Sequence, residues 1–194
     1  MDAKPLIQMQ LKGSFGLLLE LTNGANDDEW TSRPHPGANL IGFTVWHGAR
    51  IVDWAVNCIL REGDELADRP EWSDVKVPDG VFGAGVKREV ADLVPAVVTR
   101  QRLAEYLEAL REDSMSWLAS APASELEGTT DLKARHARKP EYMEPAVWEE
   151  IVDLDGIPKW QFAVRPAVSH IRVHYGEVSS QLESIRAAAA AAAR

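Results

Sequence analysis

Ser169-His170-Ile171-Arg172-Val173-His174-Tyr175-Gly176-Glu177 decides how the rest of the chain is read. Around it apolar residues return every three or four positions, at Val164, Val168, Ile171, Tyr175, Val178, Leu182 and Ile185. That period predicts an amphipathic helix. Residues four apart on a helix share a face, with Cβ atoms about 5–6 Å apart. His170 and His174 therefore present two imidazoles side by side on the flank of the apolar stripe, in line with Ala163, Ala167, Glu177 and Gln181. Two imidazoles so placed can ligate one metal ion.

Upstream, Pro158 suits the first turn of this helix. Pro166, four residues before His170, either kinks it or marks its true start, because proline removes a hydrogen bond and clashes with the preceding turn. Downstream, Ala187 to Ala193 extends the helix or is sequence foreign to the protein. The organisation expected is one unit over residues 1–186 with an Ala-rich tail at 187–194.

Three further helices are expected. Residues 5 to 22 carry Leu11, Phe15, Leu18, Leu19 and Thr22 on one stripe, with Asn23-Gly24 as a stop signal. A second helix is expected from Leu40, capped by Asn39, to about Arg61, with Gly63 beyond it. Its apolar face holds Leu40, Phe43, His47, Ile51, Trp54 and Cys58, so a third histidine points inward. Thr99 caps a helix to about Ser120, with Leu103, Tyr106, Leu107, Leu110, Trp117 and Leu118 inside and Ala121-Pro122 ending it. The connections at 63–95 and 121–156 are broken by Asp68-Arg69-Pro70, Pro78-Asp79-Gly80 and Gly83-Ala84-Gly85. Short helices are expected within them at 86–93 and 145–152. The first connection is long enough to cover one end of the molecule, and its glycines match no phosphate-binding fingerprint. Four long helical patterns and no convincing strand predict an all-α four-helix bundle with long irregular connections.

Composition narrows the function classes. The 194 residues are 45% hydrophobic and 26% charged, an ordinary globular balance. A net charge of −9 argues against a nucleic-acid partner, which needs a basic surface. Met1-Asp2-Ala3-Lys4-Pro5 lacks the pattern of a secretory leader, and no apolar run reaches the length of a membrane span. Cys58 is the only cysteine, as expected of a cytoplasmic chain. On its stripe it reads as a small buried hydrophobe. His35, between two prolines, and His136, in the basic run 133–139, read as surface histidines.

A lone histidine on an apolar face is more often a satisfied core residue than a ligand. Three, with two of them one turn apart, shift the balance towards a metal, which satisfies three acceptors at once. Zincins need Glu directly after the first histidine, where Ile171 stands. A di-iron bundle needs Glu-x-x-His pairs that are absent. A closed zinc site needs a fourth Cys or His. Cys58 lies about 16 Å along the helix from His47 at 1.5 Å per residue. His47, His170 and His174 with an open position is the economical reading, and that is how catalytic sites are ligated.

These residues resemble a known family. Arg33-Pro34-His35-Pro36-Gly37-Ala38-Asn39 leading into Trp46-His47-Gly48-Ala49-Arg50, with His170-Ile171-Arg172-Val173-His174-Tyr175-Gly176-Glu177-Val178, looks like the two signatures of the DinB/YfiT-like superfamily. Tyr106-Leu107-Glu108-Ala109-Leu110-Arg111 and Trp117-Leu118 are similar to its third helix, so the likeness runs from about residue 7 to 186. The resemblance implies a four-helix bundle holding a divalent metal, often zinc or nickel, through His47, His170 and His174, and often a homodimer. Its members include transferases that use bacillithiol, mycothiol or glutathione, and relatives of mycothiol-dependent maleylpyruvate isomerase. The expectation is a small-molecule substrate and a low-molecular-weight thiol co-substrate. Arg50, Asp53, Tyr175 and Glu177 are the candidates to support the metal or touch substrate, and Arg50 or Arg172 would face an anionic thiol. The alternatives are a non-enzymatic stress-response or interaction protein with a structural metal, and a thiol-independent hydrolase.

Overall fold

Leu11, Phe15, Leu18, Leu19 and Thr22 line the buried face of the first helix, α1 (Lys4–Gly24), in the computed structural model, which describes residues 3–79 and 81–194. Gly80, within the Pro78-Asp79-Gly80 break, and Met1-Asp2 lie outside the described residues. The expected stop at Asn23-Gly24 is overrun. The chain leaves the helix at Ala25, in extended conformation, and no left-handed residue is used. A single-turn helix, α2 (Asp27–Trp30), follows, closed by reciprocal hydrogen bonds between Asn26 and Glu29.

Helix α3 (Ile41–Asp53) starts from Leu40, which offers no side-chain cap. The expectation of Asn39 there is corrected by one residue. Every residue of α3 is buried, so the single apolar stripe read from the sequence is too narrow. Glycines explain how neighbours close in on the remaining faces. A Cβ on Gly42 would meet the Trp30 indole at 2.6 Å, and one on Gly48 would meet Leu18 at 2.8 Å. Helix α3 continues as a π-helix, Trp54–Leu60. Glu62, not Gly63, then takes the left-handed turn, at φ 59°.

The 63–95 connection holds two 3-10 turns, Leu66–Asp68 and Pro70–Val75, and the helix α4 (Arg88–Val97), which runs past Pro95 and beyond the expected 86–93. Thr99 caps α5 (Arg100–Ser120) as expected, its hydroxyl accepting from the Arg102 N–H at 3.2 Å. The second connection is more helical than anticipated, with α6 (Ala123–Glu127), α7 (Leu132–Arg138) and α8 (Pro145–Ile151).

The last long helix is composite. Helix α9 (Lys159–Val164) passes through a π segment, Arg165–Ser169, into α10 (His170–Ala192). Pro166 thus neither begins the helix nor simply kinks it. The wider turn absorbs the missing N–H, and the extra residue rotates everything upstream. Phe162 and Ala163 therefore face the core, while Val164, expected inside, is 38% exposed. The Ala-rich tail is the exposed end of α10.

Among the described residues there is no strand, only an isolated antiparallel bridge between Thr129 and Pro158. The four long elements α1, α3, α5 and α9–α10 pack together, with α3 against α1, α4, α5 and α10. The fold is an all-α four-helix bundle with long connections. No described helix is long and apolar enough to cross a membrane.

Candidate metal centre

His47 enters from the enclosed helix α3 and is buried. His170 and His174 come from the first turns of α10 and are half-buried. The His170 Nε2 lies 3.1 Å from the His47 Nε2 and 3.0 Å from the His174 Nε2. One nitrogen from each ring falls within 4.8 Å of the other two. The rings meet edge to face, with centroids 4.4 to 5.2 Å apart.

The protons can be assigned from the partners. The His47 Nδ1 lies 2.5 Å from the Phe82 carbonyl, and the His174 Nδ1 lies 2.9 Å from the Glu177 carboxylate. Both partners only accept, so each Nδ1 carries a hydrogen and each Nε2 is turned to the centre of the triad. Burial, the largest cause, pulls the His47 pKa down to about 3 and that of His170 to about 4, so neither ring gains a second proton near neutrality. The neutral His170 can donate from Nε2 to only one neighbour. At least one buried lone pair is then left facing another nitrogen, which is costly. A divalent cation shared by the three nitrogens removes the conflict. Tetrahedral ligation at about 2.0–2.1 Å would space the nitrogens by about 3.3 Å, a few tenths beyond the two shorter separations. The donor set fits such an ion, and the two Nδ1 bonds are the outer contacts that orient ligating imidazoles.

The other predicted residues divide. Glu177 touches the triad through His174. Arg50 and Asp53 do not. They are fully buried in a network of their own, in which Asp53 accepts from Arg50 at 3.1 Å, Asn57 at 2.6 Å, the Leu66 and Ala67 N–H groups at 2.9 and 3.0 Å, and the Tyr106 hydroxyl. Arg50 also holds Glu65 at 2.5 Å. Neither is free to meet a substrate. Tyr175 points away and donates to Glu20 at 2.6 Å, and Arg172 donates to Gln10. His35 is exposed, as expected. His136 is not a plain surface residue, because its ring stacks on Trp148 with centroids 4.0 Å apart. Cys58 is half-buried, and burial pushes its thiol up to about 11.

What the sequence did not reveal is the strap at 81–85. Val81 and Gly83 are left-handed at φ 43° and 92°, which aims the Phe82 carbonyl at His47. A Cβ on Gly83 would meet the His47 Nδ1 and the Trp46 ring, each at 3.0 Å. The glycines flagged as chain breaks were the available signal. The strap also closes one side of a cavity of about 420 Å³ that His47 and His170 line. Its walls are mainly apolar, and Glu150 and Arg165 are its carboxylate and its guanidinium.

No curated protein matches the chain. Among solved structures, a conserved protein from Enterococcus faecalis is similar in fold, with a TM-score of 0.69 over 96% of this chain and 99% of that one, at 19% identity. The DinB superfamily model matches residues 10–178. With most of its length matched and the same all-helical architecture in place, the chain belongs to the DinB superfamily.

Proposed function

We propose that the protein is a metal-dependent enzyme in which His47, His170 and His174 hold a divalent ion, zinc or nickel, beside the cavity, and that it transfers or isomerises a small electrophile with a low-molecular-weight thiol such as mycothiol or bacillithiol. The observation that carries the reading is the convergence of three imidazoles, two with Nδ1 tied to an acceptor and Nε2 turned inward, at the end of an apolar cavity. The ion would supply Lewis acidity, lowering the pKa of a thiol or water bound to it. The Phe82 carbonyl and Glu177 hold the imidazoles of His47 and His174 in the tautomer that ligates. The apolar walls of the cavity lower the local polarity beside His47 and His170, which strengthens electrostatic interactions there. A reducing cytoplasm suits a chain whose one cysteine is half-buried with a raised pKa.

The test is metal analysis of native protein beside His47→Ala and His174→Ala, followed by a conjugation screen with each thiol. Near-stoichiometric metal in the wild type and its loss in both variants is expected, with thiol-dependent turnover of an electrophile. Metal retained by both variants defeats the triad. Metal without any thiol effect, either on turnover or on the spectrum of cobalt-loaded protein, would favour a structural ion. Ester or amide turnover without thiol would favour a hydrolase.

A further inference from the structure

The π segment Arg165–Ser169 does more than accommodate Pro166. In an α-helix, residues five apart are rotated by about 140°, at 3.6 residues per turn, so Arg165 and His170 would face different sides. Here the His170 N–H donates to the Arg165 carbonyl, the five-residue hydrogen bond of a π turn. The wider turn brings Arg165 and His170 onto the wall of one cavity. Extra residues of this kind recur at functional sites.

The cavity itself narrows the ligand. About 420 Å³ is at the small end of ligand pockets, which run from roughly 300 to 1,000 Å³. Its body is Ile51, Trp54, Phe82, Ile151, Leu154 and Phe162, a surface for an aromatic or branched apolar group. Arg165 and Glu150 both line it and both are exposed. Neither is in a salt bridge among the described residues, unlike Arg50, Arg61, Arg102 and Arg186, which all have carboxylate partners. Of the two, Arg165 is the one tied by backbone to a triad residue. A guanidinium stays charged and offers a planar fork that fits a carboxylate. Glu150 would repel additional negative charge.

We propose that the cavity binds a small monoanion with an apolar body, a monocarboxylate in the simplest case, with its anionic group on Arg165 and its apolar part against Trp54, Phe82 and Phe162. This deepens the proposed function and rests on it for the reactive role of the triad, whereas the binding itself needs no metal. The assignment replaces Arg50 and Arg172, which are both engaged elsewhere, as the cation that meets an anionic substrate.

Calorimetric titration of the full chain with 4-phenylbutanoate, 4-phenylbutylamine and 4-phenylbutan-1-ol tests it, in metal-loaded and chelator-stripped protein. The carboxylate should bind at least about tenfold more tightly than the alcohol and the amine in both forms. Arg165→Met should remove that preference, Arg165→Lys should keep part of it, and Glu150→Gln should leave the carboxylate bound as well or better. Circular dichroism checks that each variant folds. Preference for the amine, no binding of any probe, or equal carboxylate affinity in wild type and Arg165→Met overturns the proposal. Carboxylate binding only in metal-loaded protein, unaffected by Arg165→Met, overturns the role of Arg165 and leaves the triad standing. Arg165-dependent binding in a protein that takes up no metal supports this proposal while defeating the metal reading.

Discussion

At the residue scale, two contacts carry most of what the triad needs: the Phe82 carbonyl on His47 and the Glu177 carboxylate on His174. Removing the charge from the second, with Glu177→Gln, should weaken cobalt binding by about 10- to 100-fold, the usual effect of losing an outer contact to a ligating histidine. Competition against a chelator measures it, and unchanged affinity would show that the bond is incidental. Cys58 gives a pH-dependent prediction. With its thiol pKa raised to about 11 by burial, only about one molecule in a thousand is thiolate at pH 8, and the thiolate is the nucleophile. Alkylation by iodoacetamide should therefore be about a hundredfold slower than for a free thiol at pH 8 and should climb between pH 9 and 11. Ordinary reactivity at pH 8, followed by mass spectrometry, would contradict the raised value. The histidine pair and its Glu177 partner were legible because helical spacing alone puts residues three and four apart together. The Phe82 carbonyl was not, since a backbone acceptor 35 residues from His47 leaves no mark in residue identity.

At the element scale, the strap over His47 depends on Gly83. Alanine there is strained by the left-handed backbone and would also meet the His47 ring and Trp46 at 3.0 Å. Gly83→Ala should destabilise the protein by about 1–3 kcal/mol and weaken metal binding as well. Gly156→Ala is the control: it shares the positive φ, at 75°, but faces open space. It should lower the thermal midpoint without altering metal affinity. Equal effects of the two substitutions on metal binding would separate the strap from the site. The long helices were readable because their apolar periods are regular and Thr99 caps as its chemistry dictates. The π segments were not, because a one-residue insertion leaves the local sequence looking helical and betrays itself only by turning Val164 outward and setting Arg165 on the cavity wall. Pro166 was the one visible cue.

At the scale of the whole molecule, the buried Arg50–Asp53–Glu65–Tyr106 network ties α3 to α5 and to the turn at 65–67. Breaking a buried ion pair by removing one partner typically costs about 3–5 kcal/mol. Asp53→Ala should shift the urea midpoint accordingly, and a change below about 1 kcal/mol would mean that the network is nearly neutral. Sequence placed Arg50 and Asp53 near the site because they lie one and two turns from His47. It could not show that Glu65 and Tyr106, from distant segments, would claim them. The enclosure of α3 on every side has a kinetic consequence. Its amide hydrogens should exchange with deuterium only when the entire molecule opens, whereas the junction at Arg165–His170, with its exposed Arg165 and Ser169, should open locally. His47 is therefore anchored to the slowest-exchanging part of the protein and His170 to one of its faster parts. A bound ion would leave from the α10 side, so its off-rate would follow local breathing of that junction and stay nearly constant in denaturant too dilute to unfold the bundle.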